Sequence, residues 1–429
     1  MRLQNPLASP GGIGIVSLTS LCLALASTSS AGASFTIKTS DICPKKDTSA
    51  LLSPPASHSA CPPLVDVDAT VDPHLPWSQP FRCTERRKPE PYCVFAASHI
   101  GQLGVSILTT PRIASNLAPV IHSLYDSLFP AAPLVRKPRL HPPPGRLARI
   151  EGKGIGAVAT QHIAAGETFI VDYAALVLHA DYPRVTREDE RLALLDYAVD
   201  RLVGPGPSAV RALSRSGLSK HLLEDVVQTN VFTREYEGEN HHVLYPIVSR
   251  INHSCKPNSF LRYSTHGLTV GIAAFHDIQP GEEITISYIS PVDTTENRRH
   301  RLQSHWGFTC TCPLCTSHTT DSDTARTKLR YIRAAANKAI SVRDLDRAVS
   351  YLEELVRVIR EEDMPSLLAD PYEALAQVLW VRGEKEEATR YAGLLVDVED
   401  EYGRLEVRDR ETALEKVLRG LGPLGGEKK

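Results

Sequence analysis

Three segments of the chain concentrate side chains that could do chemistry. Arg250-Ile251-Asn252-His253-Ser254-Cys255-Lys256-Pro257-Asn258 brings an amide, an imidazole and a thiol together. Asp277-Ile278-Gln279-Pro280-Gly281-Glu282-Glu283-Ile284-Thr285-Ile286-Ser287-Tyr288 ends on a phenol. Trp306-Gly307-Phe308-Thr309-Cys310-Thr311-Cys312-Pro313-Leu314-Cys315 combines two aromatic rings with three thiols. Cys310, Cys312 and Cys315, with Cys255 as the fourth thiolate, would make the closed tetrahedral donor set of a structural zinc site. Disulfide pairing is the rival chemistry for the same sulfurs in an oxidising lumen; zinc is the expectation. Glu282 and Glu283 look like paired carboxylates, but neighbours on a strand face opposite sides, so they do not act as one acid–base pair. His241-His242 lacks a third ligand at useful spacing and reads as a solvated loop. Upstream, Glu151-Gly152-Lys153-Gly154-Ile155-Gly156 and Ile163-Ala164-Ala165-Gly166-Glu167 are glycine turns through which backbone amides could approach a ligand, a weak signal alone.

The elements that must position these groups are short strands. Ala148-Arg149-Ile150, Ile155 to Ala159, Thr168 to Val171, Thr269 to Phe275 and Ile284 to Tyr288 carry strand-like residues between glycine-containing turns. Between Glu188 and Asn230 the apolar period lengthens to a helical one, with Leu192, Leu195 and Val199, then Leu222, Leu223, Val226 and Val227. The prediction is a strand-rich shell over 147–290 with a helical insert. On the last strand Ile284, Ile286 and Tyr288 share one face, so the isoleucines pack inward and the phenol reaches a cleft. After Cys315 the pattern is helical, with candidate helices over Thr324–Ser341, Asp344–Glu362, Pro371–Arg382, Glu384–Tyr402 and Arg408–Leu418. Antiparallel helix pairs of this length resemble tetratricopeptide-type repeats with a degenerate signature; an ordinary helical bundle has the same spacing.

The 429 residues suffice for two or three compact units, and 42% hydrophobic with 23% charged residues is ordinary soluble composition. A net charge of -2 gives no global field for nucleic acid, so none is expected as a partner. The N-terminus has Arg2, an apolar run from Ile13 to Ala26 and the small residues Ala31-Gly32-Ala33. That is the shape of a secretory signal over 1–33, with export as the expectation and cytoplasm, nucleus or mitochondrion as alternatives. The run is too short to cross a membrane, which takes ~20 residues, and no membrane partner is expected. Residues 34–146 are rich in Pro, Ser and Cys and read as loop, apart from a strand-like Gly104 to Leu108 and a helix over Arg112 to Phe129. Pro142-Pro143-Pro144-Gly145 reads as a stiff linker before the next domain. Of the nine cysteines, Cys43, Cys61, Cys83 and Cys93 follow the presumed signal, as two disulfides of undetermined pairing would.

Taken in order, the G-x-G turn, N-H-S-C-x-P-N, G-E-E-(x)4-Y and C-x-C-x-x-C resemble the SET-domain family of protein lysine methyltransferases. The fold this implies is a mainly β SET domain over 147–290 with a knotted C-terminal motif and a helical insert, a post-SET zinc tail over 291–318 and a helical domain over 324–420. The branch with C-terminal helical repeats, SET plus MYND, is the most similar, although the chain lacks a cysteine-rich finger between Val171 and Asn230. The resemblance implies S-adenosylmethionine as cofactor, with Lys153, Gly154, Ile155 and Gly156 at its methionine end and Asn230 on its amino acid part. It places Asn252 and His253 near the adenine and Phe308 stacked on it. Phe232 and Trp306 would line the lysine channel, Trp306 where a tyrosine is usual, and Tyr288 would be the catalytic tyrosine.

Methyl transfer at a sulfonium is an in-line displacement, so the protein must align donor and amine and exclude water. No metal need take part in it. The implied substrate is a lysine side chain of a protein or peptide. The other function classes the sequence allows are a non-catalytic SET module that binds peptides and a secreted interaction protein that uses only the fold.

Overall fold

The computed structural model describes residues 64–67, 77–85, 90–128, 144–264, 267–317, 320–403 and 409–421. The expected signal over 1–33, with Cys43 and Cys61, lies outside the described residues.

In chain order the strands are β1 (Leu64–Val67), β2 (Ser78–Thr84), β3 (Cys93–Ala97), β4 (Val105–Thr109), β5 (Gly145–Ile150), β6 (Gly154–Ala159) and β7 (Thr168–Tyr173). They continue as β8 (Leu176–His179), β9 (Phe232–Tyr236), β10 (Glu239–Leu244), β11 (Asn252–His253), β12 (Ser259–Tyr263), β13 (Thr269–Ala274) and β14 (Glu283–Ile286). Three sheets result, ordered β1-β2-β3-β4-β8-β10-β9, β11-β14-β6-β5 and β12-β13-β7. Side-chain alternation lets the largest sheet serve two cores. Phe95, Ile107, Val177 and Val243 face one core with Ile284 and Ile286. Their neighbours Val94, Leu108, Leu178 and Leu244 meet Leu195, Val199, Leu223 and Val226 of the helical insert, whose main helices are Glu188–Asp200 and Leu222–Asn230.

The strand-like Gly104 to Leu108 falls on β4 and the helix expected over Arg112 to Phe129 runs Pro111–Leu128, but the expectation of loop before them fails where β2 and β3 form. Strands β2 to β4 are consecutive and antiparallel, and β4 joins β8 in parallel through Ser106↔Leu176 to Leu108↔Leu178. Trp77, Phe81 and Ile121 share a core with Ile284, so no seam falls at residue 147. Prolines and serines around β2 and β3 hide them, because each is only five to seven residues long and is stabilised by its place in the sheet. One disulfide, Cys83–Cys93, bridges directly paired residues of β2 and β3.

A third core lies in the C-terminal helices Thr320–Ser341, Leu345–Glu361, Ala369–Arg382, Lys385–Val398 and Arg410–Gly420. Ala348, Leu352, Leu355 and Val356 are buried on one stripe of the second of these, as their spacing requires. Asp344 and Asp409 cap helix starts by accepting from the amides of Arg347 and Thr412. No helix among the described residues is long and apolar enough to cross a membrane.

Candidate functional site

Tyr288 stands two residues beyond the end of β14, not on the strand as expected, although Ile284 and Ile286 are fully buried as their face requires. Leaving the ladder frees the phenol from the alternation of the strand. Its hydroxyl donates to the Ile251 carbonyl at 2.6 Å, and its backbone amide donates to His253 Nδ1 at 3.0 Å. Burial, with a smaller contribution from the Glu283 charge, raises the pKa of the phenol. It stays a neutral hydroxyl at any ordinary pH.

Trp306 ends the helix Thr295–Trp306, which stops at Gly307 in the left-handed region (φ 73°). There a side chain would be strained, and a Cβ would stand 3.3 Å from the Ser216 carbonyl. The indole packs on the Tyr288 ring, centroids 5.3 Å apart, and its N–H donates to the Thr229 carbonyl. Tyr288 and Trp306 line two cavities. One, of about 460 Å³, is bounded also by Lys153, Asn230, Asn252, His253 and Phe308. The other, about 490 Å³, is bounded also by Phe232, Ile251, His300 and His305. Both lie in the size range of small-ligand sites, ~300 to 1,000 Å³.

The remaining expected residues divide. Lys153 reaches the first cavity, but Ile155 is exposed, and Gly156 faces protein rather than a ligand: a Cβ there would meet Asn252 Nδ2 at 2.4 Å. Gly154 (φ 80°) is open, with nothing within 4 Å of a Cβ. The Asn230 amide is already bonded to the Ser214 and Val226 carbonyls, both at 2.7 Å, so it fixes the insert at the cavity wall. Asn252 donates to Glu283 Oε1 at 3.0 Å, and Glu283 Oε2 accepts from Lys153 Nζ at 2.6 Å. Glu282 instead accepts from the Gln279 amide, so the two carboxylates do not form a pair. Phe308 stands 6.1 Å from the His253 ring, on the cavity side.

His253 is buried, and burial pushes its pKa down to about 4, so the ring is neutral. With Nδ1 accepting from Tyr288, the proton sits on Nε2, 3.2 Å from Cys255 Sγ. The sulfurs of Cys255, Cys310, Cys312 and Cys315 all lie within 4.8 Å of one another and are unoxidised. Cys255 is 3.9 Å from Cys310 and 3.4 Å from Cys315. Tetrahedral zinc with Zn–S bonds of ~2.3 Å spaces its sulfurs by about 3.8 Å, so the set is compatible with the metal. Among the described residues no other group of His, Cys, Asp or Glu converges this way.

His241-His242 does not lie in a loop. The pair belongs to β10, where His241 is fully buried against His179 with centroids 5.3 Å apart. Burial pushes both His241 and His242 down to about 4, so they are neutral packing residues.

Two site residues escaped the sequence reading. Glu283 was legible only as half of a false pair, though Lys153 offered the opposite charge. Asp172 on β7 had no local signal: it accepts from the amides of Ile247 and Val248 at 2.6 and 2.9 Å. It thereby holds the turn leading to Ile251 and Asn252. Burial, against those amides, raises its pKa to about 7.

Residues 154–289 match the family described as SET domain. A helical region follows this matched segment, and the relatives that the chain resembles are named as lysine methyltransferases. It is 36% identical over 146 residues to human N-lysine methyltransferase SMYD2, covering 34% of this chain and 33% of that protein. It is 40% identical over 97 residues to SMYD2-A of Danio rerio, 22% of each chain. It is also 38% identical over 72 residues to histone-lysine N-methyltransferase SET5 of Eremothecium gossypii, 17% of this chain and 14% of that one. The SMYD2 matches span about a third of the length of those relatives.

Proposed function

We propose that the chain transfers a methyl group from S-adenosylmethionine to a lysine side chain of a protein or peptide. The observation that carries this reading is that Tyr288 and Trp306, with Thr229, Asn230 and Ser249, line both cavities, a shared wall that would act as the partition between them. An in-line displacement requires donor and acceptor to approach one point from opposite sides. The donor belongs on the Lys153 and Phe308 side, the lysine on the Phe232 side. Lys153 offers a cation to a carboxylate, and Phe308 an apolar face to a base.

When bound, the sulfonium donor supplies the electrophilic methyl group and a positive charge that lowers the pKa of a nearby amine. Phe232 and Trp306 keep water from that amine, which favours its neutral form. Tyr288 acts by position: its proton is committed to Ile251, leaving lone pairs to accept from the amine. As a phenol of raised pKa it is no general base, so the amine gives its proton to solvent before it enters the dry channel. Cys255, Cys310, Cys312 and Cys315 hold zinc and thereby pin Trp306 and Phe308 over the site, the role of a post-SET tail.

The reading is tested by incubating the zinc-replete full chain with S-adenosylmethionine and lysine-containing peptide arrays, with mass spectrometry of the products. A gain of 14 Da or its multiples on lysine supports it; cofactor binding with no transfer to any peptide favours a binding module.

A further inference from the structure

We propose that Glu283 is a positioning residue of the cofactor cavity, a single carboxylate that presets both Lys153 and Asn252 before any ligand arrives. The proposal rests on the cavity being the S-adenosylmethionine site. Glu283 begins β14, which pairs on one side with β6 and on the other with β11, so it stands between the turn that carries Lys153 and the strand that carries Asn252. The two carboxylate oxygens serve different partners. Oε2 accepts from Lys153 Nζ at 2.6 Å, and Oε1 accepts from Asn252 Nδ2 at 3.0 Å.

The arrangement depends on Gly156. A Cβ at that residue would come within 2.4 Å of Asn252 Nδ2 and 3.2 Å of Glu283 Oε1, so any larger residue displaces the amide. The Lys153 side chain is one-third exposed on a flexible stem, and unpaired it would sample many rotamers. Pairing removes that freedom before binding, so less is lost when a ligand carboxylate meets the ammonium. The second glycine of the G-x-G turn therefore serves the carboxylate, not the ligand directly.

The test is calorimetry of S-adenosylmethionine on the full chain. Glu283→Ala should raise Kd by about 10-fold. Glu283→Gln, which keeps one oxygen for a single partner and turns an N–H donor toward the other, should raise it by a factor comparable to that of Glu283→Ala. Glu283→Asp, one methylene short of spanning both partners, stands in if the alanine variant fails to fold. Lys153→Met should weaken binding by itself and make Glu283→Ala cost less than it does in the wild type, since only the hold on Asn252 then remains to be lost, a non-additivity that mere destabilisation would not produce. Gly156→Ala should act in the same direction as Glu283→Ala. Unchanged or tighter binding in Glu283→Ala or Glu283→Asp, or full additivity with Lys153→Met, overturns the proposal while the site assignment survives. A wild-type chain that does not bind at all overturns both.

Discussion

The indole N–H of Trp306 donates to the Thr229 carbonyl at 3.0 Å, joining the cysteine tail to the helical insert across 77 residues of sequence. This one bond seats a ring of the wall that the two cavities share. Trp306→Phe keeps a ring against Tyr288 but leaves Thr229 without its donor. The expected cost is about 1 kcal/mol of stability, read from denaturant midpoints, with a several-fold loss of transfer because the partition loosens. An unchanged midpoint would show that the bond contributes nothing.

Tyr288→Phe removes a hydroxyl and leaves the Ile251 carbonyl without its proton donor. Stability should fall by roughly 1 kcal/mol and cofactor affinity should hold, while turnover drops by about 10-fold or more, one decade per ~1.4 kcal/mol of barrier. Transfer at the wild-type rate per folded molecule would remove Tyr288 from the chemistry.

Metal analysis of the purified chain should find about one zinc per molecule, held by four thiolates. Stripping it with a strong chelator should lower the melting temperature and abolish cofactor binding together, because the tail carries both Cys310 and Phe308. Cys255→Ser should do the same in part. A chain that melts identically with and without chelator would rule out a structural metal.

Asp172 gives stability a pH dependence of definite sign. Its carboxyl titrates near pH 3.9 unfolded and at about 7 folded, so the folded state holds the proton more tightly. The contribution is complete below about pH 4 and is lost as pH rises to about 7. Asp172→Asn removes this titration. Comparing unfolding free energies at pH 5 and pH 8, wild type should lose more than the variant, by an order of a few kcal/mol. Equal pH slopes would contradict the assignment.

Cys83 and Cys93 should resist alkylation in native, unreduced protein, while Cys255, Cys310, Cys312 and Cys315 should become reactive after chelation. Replacing both by serine opens a loop with a sequence separation of 10 and should cost about 2 to 3 kcal/mol. Free thiols at both residues in freshly isolated material would refute the bridge.

The site was legible in sequence where residue type alone carried the message. Tyr288, Asn252-His253 and the four cysteines announce themselves because few chemistries need those groups in that order. What could not be read was whatever tertiary contact decides. The alternation rule put Tyr288 on the strand, but β14 ends at Ile286 and the tyrosine reaches the cleft from beyond it. Asn230 was expected on the cofactor, whereas Ser214 and Val226 take both its amide hydrogens. Strands β2 and β3 were lost among prolines and serines because their stability comes from pairing in a sheet anchored through β4, which the sequence did show, to β8, distant in sequence. His241 reads as polar, yet its partner across the sheet is another buried histidine.

The sulfur cluster also orders events during synthesis. Cys255 meets partners 55 and 60 residues further along the chain, and the imidazole beside it holds the amide of Tyr288. A nascent chain still short of Cys315 therefore lacks one wall of the cavity, whatever its strands have already done. On the proposed zinc assignment, translation must clear that residue from the ribosome and a metal ion must be captured before the tail is pinned over the pocket. Metal supply, and not cofactor supply, would then set when a newly made molecule becomes competent.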